Sequence, residues 1–211
     1  PDGGIQETDI LISDGKIDAI GSSPNKTVKK LNASGYMVLP GIVDLHGDAF
    51  ERQIMPRPGV SFPLTLAFLD TDRQLVANGI TTAYHGITYS WEPGLRGRET
   101  VTKVMTALKN VSKRLGADTK CHLRFETFNF AAGDEVLNWI LERNIDFLAF
   151  NNHLPSIRKK IQENQSLSQF LERSGLEKDA FLQLVEKLSE REHETTKLVE
   201  KLAKTARDHS I

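Results

Sequence analysis

Cysteine is nearly absent. Cys121 is the only one in 211 residues, which excludes an internal disulfide and accords with a reducing cytoplasm. Long apolar runs are missing as well. None reaches the roughly 18 residues of a membrane span, and residues 1–9 are polar and acidic, without the pattern of a secretion signal. Neither sign of charge dominates: 27 Lys and Arg stand against 28 Asp and Glu, a formal net charge of −1. Nothing global therefore points to nucleic acid or a membrane surface, and a polyanionic partner would have to meet a local basic cluster. No glycine-rich Walker loop is present, which argues against a nucleotide kinase. No solenoid-type repeat is visible. What is there is an ordinary globular composition, 39% hydrophobic and 26% charged, in a chain long enough for one core and a second small domain.

Residues 1–39 read as a small, incomplete β-subdomain. Ile10-Leu11-Ile12 and Ile17-Asp18-Ala19-Ile20-Gly21 flank Ser13-Asp14-Gly15-Lys16, a hairpin turn signal. Ser22 to Asn25 is a further turn, and Tyr36-Met37-Val38-Leu39 a further apolar run. The style changes at Pro40. From there residues 40–211 alternate strand and helix. Ile42 to His46 is a buried-type strand. Residues 64–78 have helical spacing, with Leu66, Leu69, Leu75 and Val76 as expected inward positions and Gly79 as a cap. Ile80 to Ile87 is the next strand, Glu99 to Leu115 a helix stopped by Gly116, Lys120 to Phe128 a strand, Glu135 to Glu142 a helix and Asp146 to Asn152 a strand. This order implies a parallel α/β sheet, either half a barrel or a small open sheet. After His153 the pattern is helical. Leu182, Val185, Leu188, Leu198 and Leu202 form its apolar stripe, and the charged run Glu190 to Glu194 a solvated face.

Chemistry concentrates at strand ends. His46 and Asp48 are two residues apart on a strand, so they face the same way and suit a divalent ion such as Zn²⁺, with Mn²⁺ or Fe²⁺ open. His122, Arg124 and Glu126 share one face of the third strand of this series. A carboxylate there can bridge metals and an arginine can hold an anion; a salt-bridged triplet is the plainer alternative. Arg52 and Arg57 add cations near a strand end, and arginine suits bidentate phosphate contacts. Arg158-Lys159-Lys160 reads first as a solvated helix start, with phosphate contacts as the alternative. His85 and His153 each read as a site residue or a satisfied structural histidine. His193 and His209 lie in charged helices and read as surface residues.

Pro40-Gly41-Ile42-Val43-Asp44-Leu45-His46-Gly47-Asp48, after a small β-subdomain, resembles the amidohydrolase superfamily. Leu45 to Arg52 followed by Pro56-Arg57-Pro58, Gly79-Ile80-Thr81-Thr82, and His122-Leu123-Arg124-Phe125-Glu126 look like the diphosphatases of α-D-ribose 1-methylphosphonate 5-triphosphate in the carbon–phosphorus lyase pathway. The resemblance runs at varying strength from about residue 10 onward. It implies the first four βα units of a (β/α)₈ metal-dependent hydrolase. It also implies a metal-activated water that releases diphosphate, with His46, Asp48 and Glu126 as metal ligands. Arg52, Arg57, His122, Arg124 and His153 would then serve an anionic phosphorylated substrate. Two positions depart from the pattern: His85 stands where an acidic residue is usual, and Asn152 where Asp precedes His.

The superfamily's later ligands, including the general-base aspartate, lie after the fourth barrel strand. Nothing past His153 has strand character. The chain thus reads as an N-terminal segment, with no catalytic base of its own and inactive alone. Its sheet edges would be covered by further chain or by association with another copy. Two alternatives remain: another amidohydrolase acting on C–N bonds, such as a deacetylase or cyclic-amide hydrolase, or a truncated non-catalytic binding module.

Overall fold

The computed structural model describes residues 4–21 and 29–211; the expected turn at Ser22 to Asn25 lies outside them. The chain divides into two compact units, Pro1–Pro40 and Gly41–Ile211. In the first, β1 (Ile10–Ser13) and β2 (Lys16–Ile20) pair antiparallel, Ser13 opposite Lys16. Asp14 and Gly15 both have positive φ, 51° and 73°. That is what a two-residue hairpin turn requires, and it explains Asp-Gly at this point. Tyr36 to Leu39 forms no strand and is exposed, so the described part of this unit holds a single hairpin.

The second unit is built on four parallel strands in the order β3 (Ile42–Gly47), β4 (Ile80–Tyr89), β5 (Asp118–Glu126), β6 (Phe147–Asn151). The sheet is curled, compatible with part of a TIM-like barrel. Between the strands lie α1 (Phe50–Ile54), α2 (Leu64–Ala77), α3 (Arg98–Val111) and α4 (Gly133–Leu141). After β6 come α5 (Leu154–Gln162), α6 (Ser168–Ser174), α7 (Lys178–Glu190) and α8 (Thr195–Asp208). No helix among the described residues is long and apolar enough to cross a membrane.

The two sheet faces differ because strand side chains alternate. Ala83, Ile87 and Tyr89 of β4 and Cys121, Leu123 and Phe125 of β5 are buried on the helix side. Val101, Val104, Leu108 and Val111 of α3 and Val136 and Ile140 of α4 join them in one core. Their spacing of three and four residues turns one apolar stripe of each helix toward the sheet. Each such side chain contributes about 1.5–3 kcal/mol on burial. Asp72 of α2 fixes the entry to β5 by accepting the N–H groups of Gly116 and Ala117, both at 2.9 Å.

Helix α2 corrects one expectation. Its buried residues are Ala67, Phe68 and Thr71, whereas Leu66 and Val76 are about half exposed. Apolar residues occur all round this helix, so periodicity alone leaves its rotation open. Phe68 decides it by stacking on Phe50 at 5.8 Å. Gly79 follows the Asn78 cap with φ 76°, as the sequence suggests.

A second core joins Phe128, Leu154, Ile157, Phe181 and Val185. One polar tie binds this helical part to the end of β4. Glu92, whose side chain is fully buried, pairs with Arg173 of α6. Gly94 makes the approach possible, since a Cβ there would lie 2.3 Å from the Arg173 carbonyl oxygen. Arg173→Ala strands a buried carboxylate and is expected to cost about 3–5 kcal/mol, read as a lower urea midpoint. Glu92→Leu with Arg173→Met should recover most of that loss; a single variant as stable as the parent would show that the pair carries no such weight.

Candidate metal and anion site

The face of the sheet away from the helices carries Gly86 and Thr88 from β4 and His122, Arg124 and Glu126 from β5. In register, Gly86 lies opposite His122 and Thr88 opposite Arg124. On the other side of β5, Phe147, Ala149 and Asn151 stand opposite His122, Arg124 and Glu126. Arg124 is thus flanked by small residues. A Cβ on Gly86 would lie 3.2 Å from Cδ of Arg124 and 4.0 Å from Cε1 of His46, so the missing side chain lets the arginine stem and the His46 ring share this space.

His46 is the last residue but one of β3 and is exposed, its backbone N–H donating to Oδ1 of Asp44 at 3.0 Å. Its ring meets the ring of His122 edge-on, with centroids 5.0 Å apart. His122 is 3% exposed. Its Nδ1 lies 3.0 Å from the Leu45 carbonyl oxygen. A carbonyl only accepts, so Nδ1 carries the proton. Nε2 is buried without a partner among the described residues. Burial, helped by His46 and Arg124, holds this imidazole below its ordinary pKa against the pull of the Leu45 carbonyl.

Arg124 is half-buried. Its Nη1 reaches Thr88 Oγ1 at 3.4 Å, its Nε is buried without a partner, and no carboxylate pairs with it among the described residues. Glu126 is buried, and both its oxygens are engaged by His153, one by the backbone N–H at 3.3 Å and the other by Nδ1. His153 lies just before α5, two residues beyond the end of β6.

The sequence-predicted residues therefore fall into separate groups. His46, His122 and Arg124 come together. Glu126 and His153 form their own pair. Asp48, Arg52 and Arg57 are exposed, and their side chains form no ion pair among the described residues. Among those residues, no three His, Cys, Asp or Glu side chains converge on one point as a metal cage would require. The donor types nevertheless suit a divalent ion: the His122 Nε2 has no hydrogen-bond partner among the described residues, and its ring lies against that of His46. Sequence reasoning did not single out Gly86 or Thr88, because their role follows from strand register. It also missed Glu92, whose partner is 81 residues distant.

His85 is a structural histidine. Its ring sits on the helix side against Phe50 and Phe68, at 5.4 and 5.6 Å. Burial pushes its pKa down to about 4 from 6.5, against Asp44 and Asp72, which raise it.

Two curated relatives share part of the chain. Over 118 residues it is 30% identical to α-D-ribose 1-methylphosphonate 5-triphosphate diphosphatase of Escherichia coli K12, a stretch covering 54% of this chain and 31% of that protein. Over 135 residues it is 27% identical to an allantoinase of Bacillus licheniformis, covering 64% and 28%. The chain spans under a third of either relative. No protein-family model matches it, and no solved structure does. These likenesses support the amidohydrolase superfamily and a hydrolase in general, and nothing finer.

His85 gives a pH prediction. Its folded-state pKa lies below the unfolded value, so its neutral form stabilises the fold above pH 6.5. That contribution, about 3 kcal/mol, is lost as pH falls from 6.5 toward 4. In urea melts across this range, His85→Leu should lose less stability than the parent; parallel losses would refute the assignment.

Proposed function

We propose that this chain is the metal- and anion-binding part of a metal-dependent hydrolase. The reaction is cleavage of the 5-triphosphate of α-D-ribose 1-methylphosphonate 5-triphosphate to the 5-phosphate and diphosphate. The observation that carries the anionic substrate is Arg124. It is a half-buried guanidinium with no carboxylate partner among the described residues, on the same sheet face as two histidines. Such a charge is best satisfied by a polyanion, and arginine's planar donors match phosphate oxygens.

In this reading His46 and Asp48 hold a divalent metal, Zn²⁺ first. Glu126 would be the further carboxylate ligand. When bound, such an ion supplies the polarisation that makes water nucleophilic near neutral pH. The chain's own residues do the rest. Arg124, beside His122, seats the phosphate chain, with Arg52 and Arg57 as outer cations. Glu126 orients His153, whose side chain is half exposed, toward the substrate. The likeness to an allantoinase supports a second reading, hydrolysis of a C–N bond in an amide, which leaves the charge of Arg124 without a counterpart.

The deciding assay offers both substrates to the protein at its natural length with Zn²⁺ or Mn²⁺. Diphosphate release from the ribose triphosphate is expected. Turnover of allantoin without diphosphate release would reverse the assignment. On the present chain, Arg124→Gln should weaken binding of inorganic triphosphate about 10- to 100-fold, as for the loss of a charge-assisted contact, read by calorimetry. Undiminished affinity would remove Arg124 from the site.

A further inference from the structure

The geometry points to His122 as a metal ligand, paired with His46 in a two-imidazole site for a divalent cation of the zinc class. The inference rests on the metallohydrolase reading only for the expectation of an ion; the choice of His122 comes from its surroundings. A phosphate-binding histidine presents an N–H. His122 has already given its Nδ1 proton to the Leu45 carbonyl, 3.0 Å away. What remains at Nε2 is a lone pair, buried and without a donor among the described residues. Leaving such an acceptor unsatisfied is costly, and a cation satisfies it. A backbone carbonyl holding the far nitrogen is also the usual way a ligating imidazole is oriented. Phe147 steadies the ring from one side, centroids 4.6 Å apart.

The spacing to His46 agrees. Zn–N bonds of about 2.0–2.1 Å at a tetrahedral angle set two imidazole centroids roughly 5 Å apart, and here they are 5.0 Å apart. Asp48, by contrast, is exposed, and its backbone carbonyl is used to start α1, accepting the N–H of Glu51 at 3.1 Å. Edge-to-face packing alone also spans about 4.5–7 Å, so ring contact without metal is the alternative to defeat. Imidazole donors select Zn²⁺, Co²⁺, Ni²⁺ or Cu²⁺ over Mg²⁺. Arg124 stands beside the pair and opposes a bare cation. Removing its charge should therefore tighten metal binding, the opposite of what a damaged fold would do.

The test titrates the 211-residue chain with Zn²⁺ alone, followed by calorimetry and by the imidazole NMR signals. Zn²⁺ is expected to shift the His46 and His122 signals together in the unmodified chain, and Mg²⁺ to leave them unmoved. His122→Asn and His46→Asn should each abolish stoichiometric binding, and Arg124→Gln should raise affinity. The proposal falls if His122→Asn binds Zn²⁺ like the parent, if the His122 signals do not respond, or if Arg124→Gln fails to tighten. Loss of binding in Asp48→Asn and His46→Asn but not in His122→Asn would leave the strand-end pair of the proposed function standing and remove His122. A chain with no stoichiometric Zn²⁺ at all would sink both.

Discussion

The parallel pairing of β4 with β5 is the constraint on which the rest depends. From Thr82 opposite Asp118 to Tyr89 opposite Phe125 the two strands run in unbroken register. Because neighbours alternate in direction, this one ladder sorts the residues into two sets. His85, Ile87 and Tyr89 go with Cys121, Leu123 and Phe125 toward the helices. Gly86 and Thr88 go with His122 and Arg124 toward the opposite face. A slip of one residue would exchange the sets, sending an arginine into the apolar core. The core and the candidate site are therefore specified by the same hydrogen bonds.

Burial on the helix side holds that register. Leu123, Phe125, Val136 and Ile140 are excluded from solvent, and α3 and α4 close over them. The other face keeps groups that a core could not tolerate. His122 Nε2 and Arg124 Nε are both buried there without partners among the described residues, so each is left to be satisfied by solvent or a ligand. At the end of the same strand Glu126 and His153 satisfy each other. The polar face thus offers three kinds of group along one strand: an imidazole lone pair, an unpaired cation, and a carboxylate–histidine pair.

His85 shows how little residue type says about role. It neighbours Gly86 in sequence, yet it lies among Phe50 and Phe68 on the far side of the sheet. Its role at this position is packing, edge-on against two phenylalanine rings.

By itself the sequence determined the strand–helix order, the hairpin at Asp14-Gly15, the helix stop at Gly79 and the sharing of one strand face by His122, Arg124 and Glu126. These are local signals of periodicity, turn geometry and residue type. The rotation of α2 was not legible, because its apolar residues surround the helix and only the stacking of Phe68 on Phe50 settles which are buried. Nor was the grouping of the site residues. The spacing of His46 and Asp48 suggests that they act together, but strand pairing across sequence distance sets His122 beside His46 and His153 beside Glu126. Which donors share a space is decided by register between strands, and register is a property of the folded sheet.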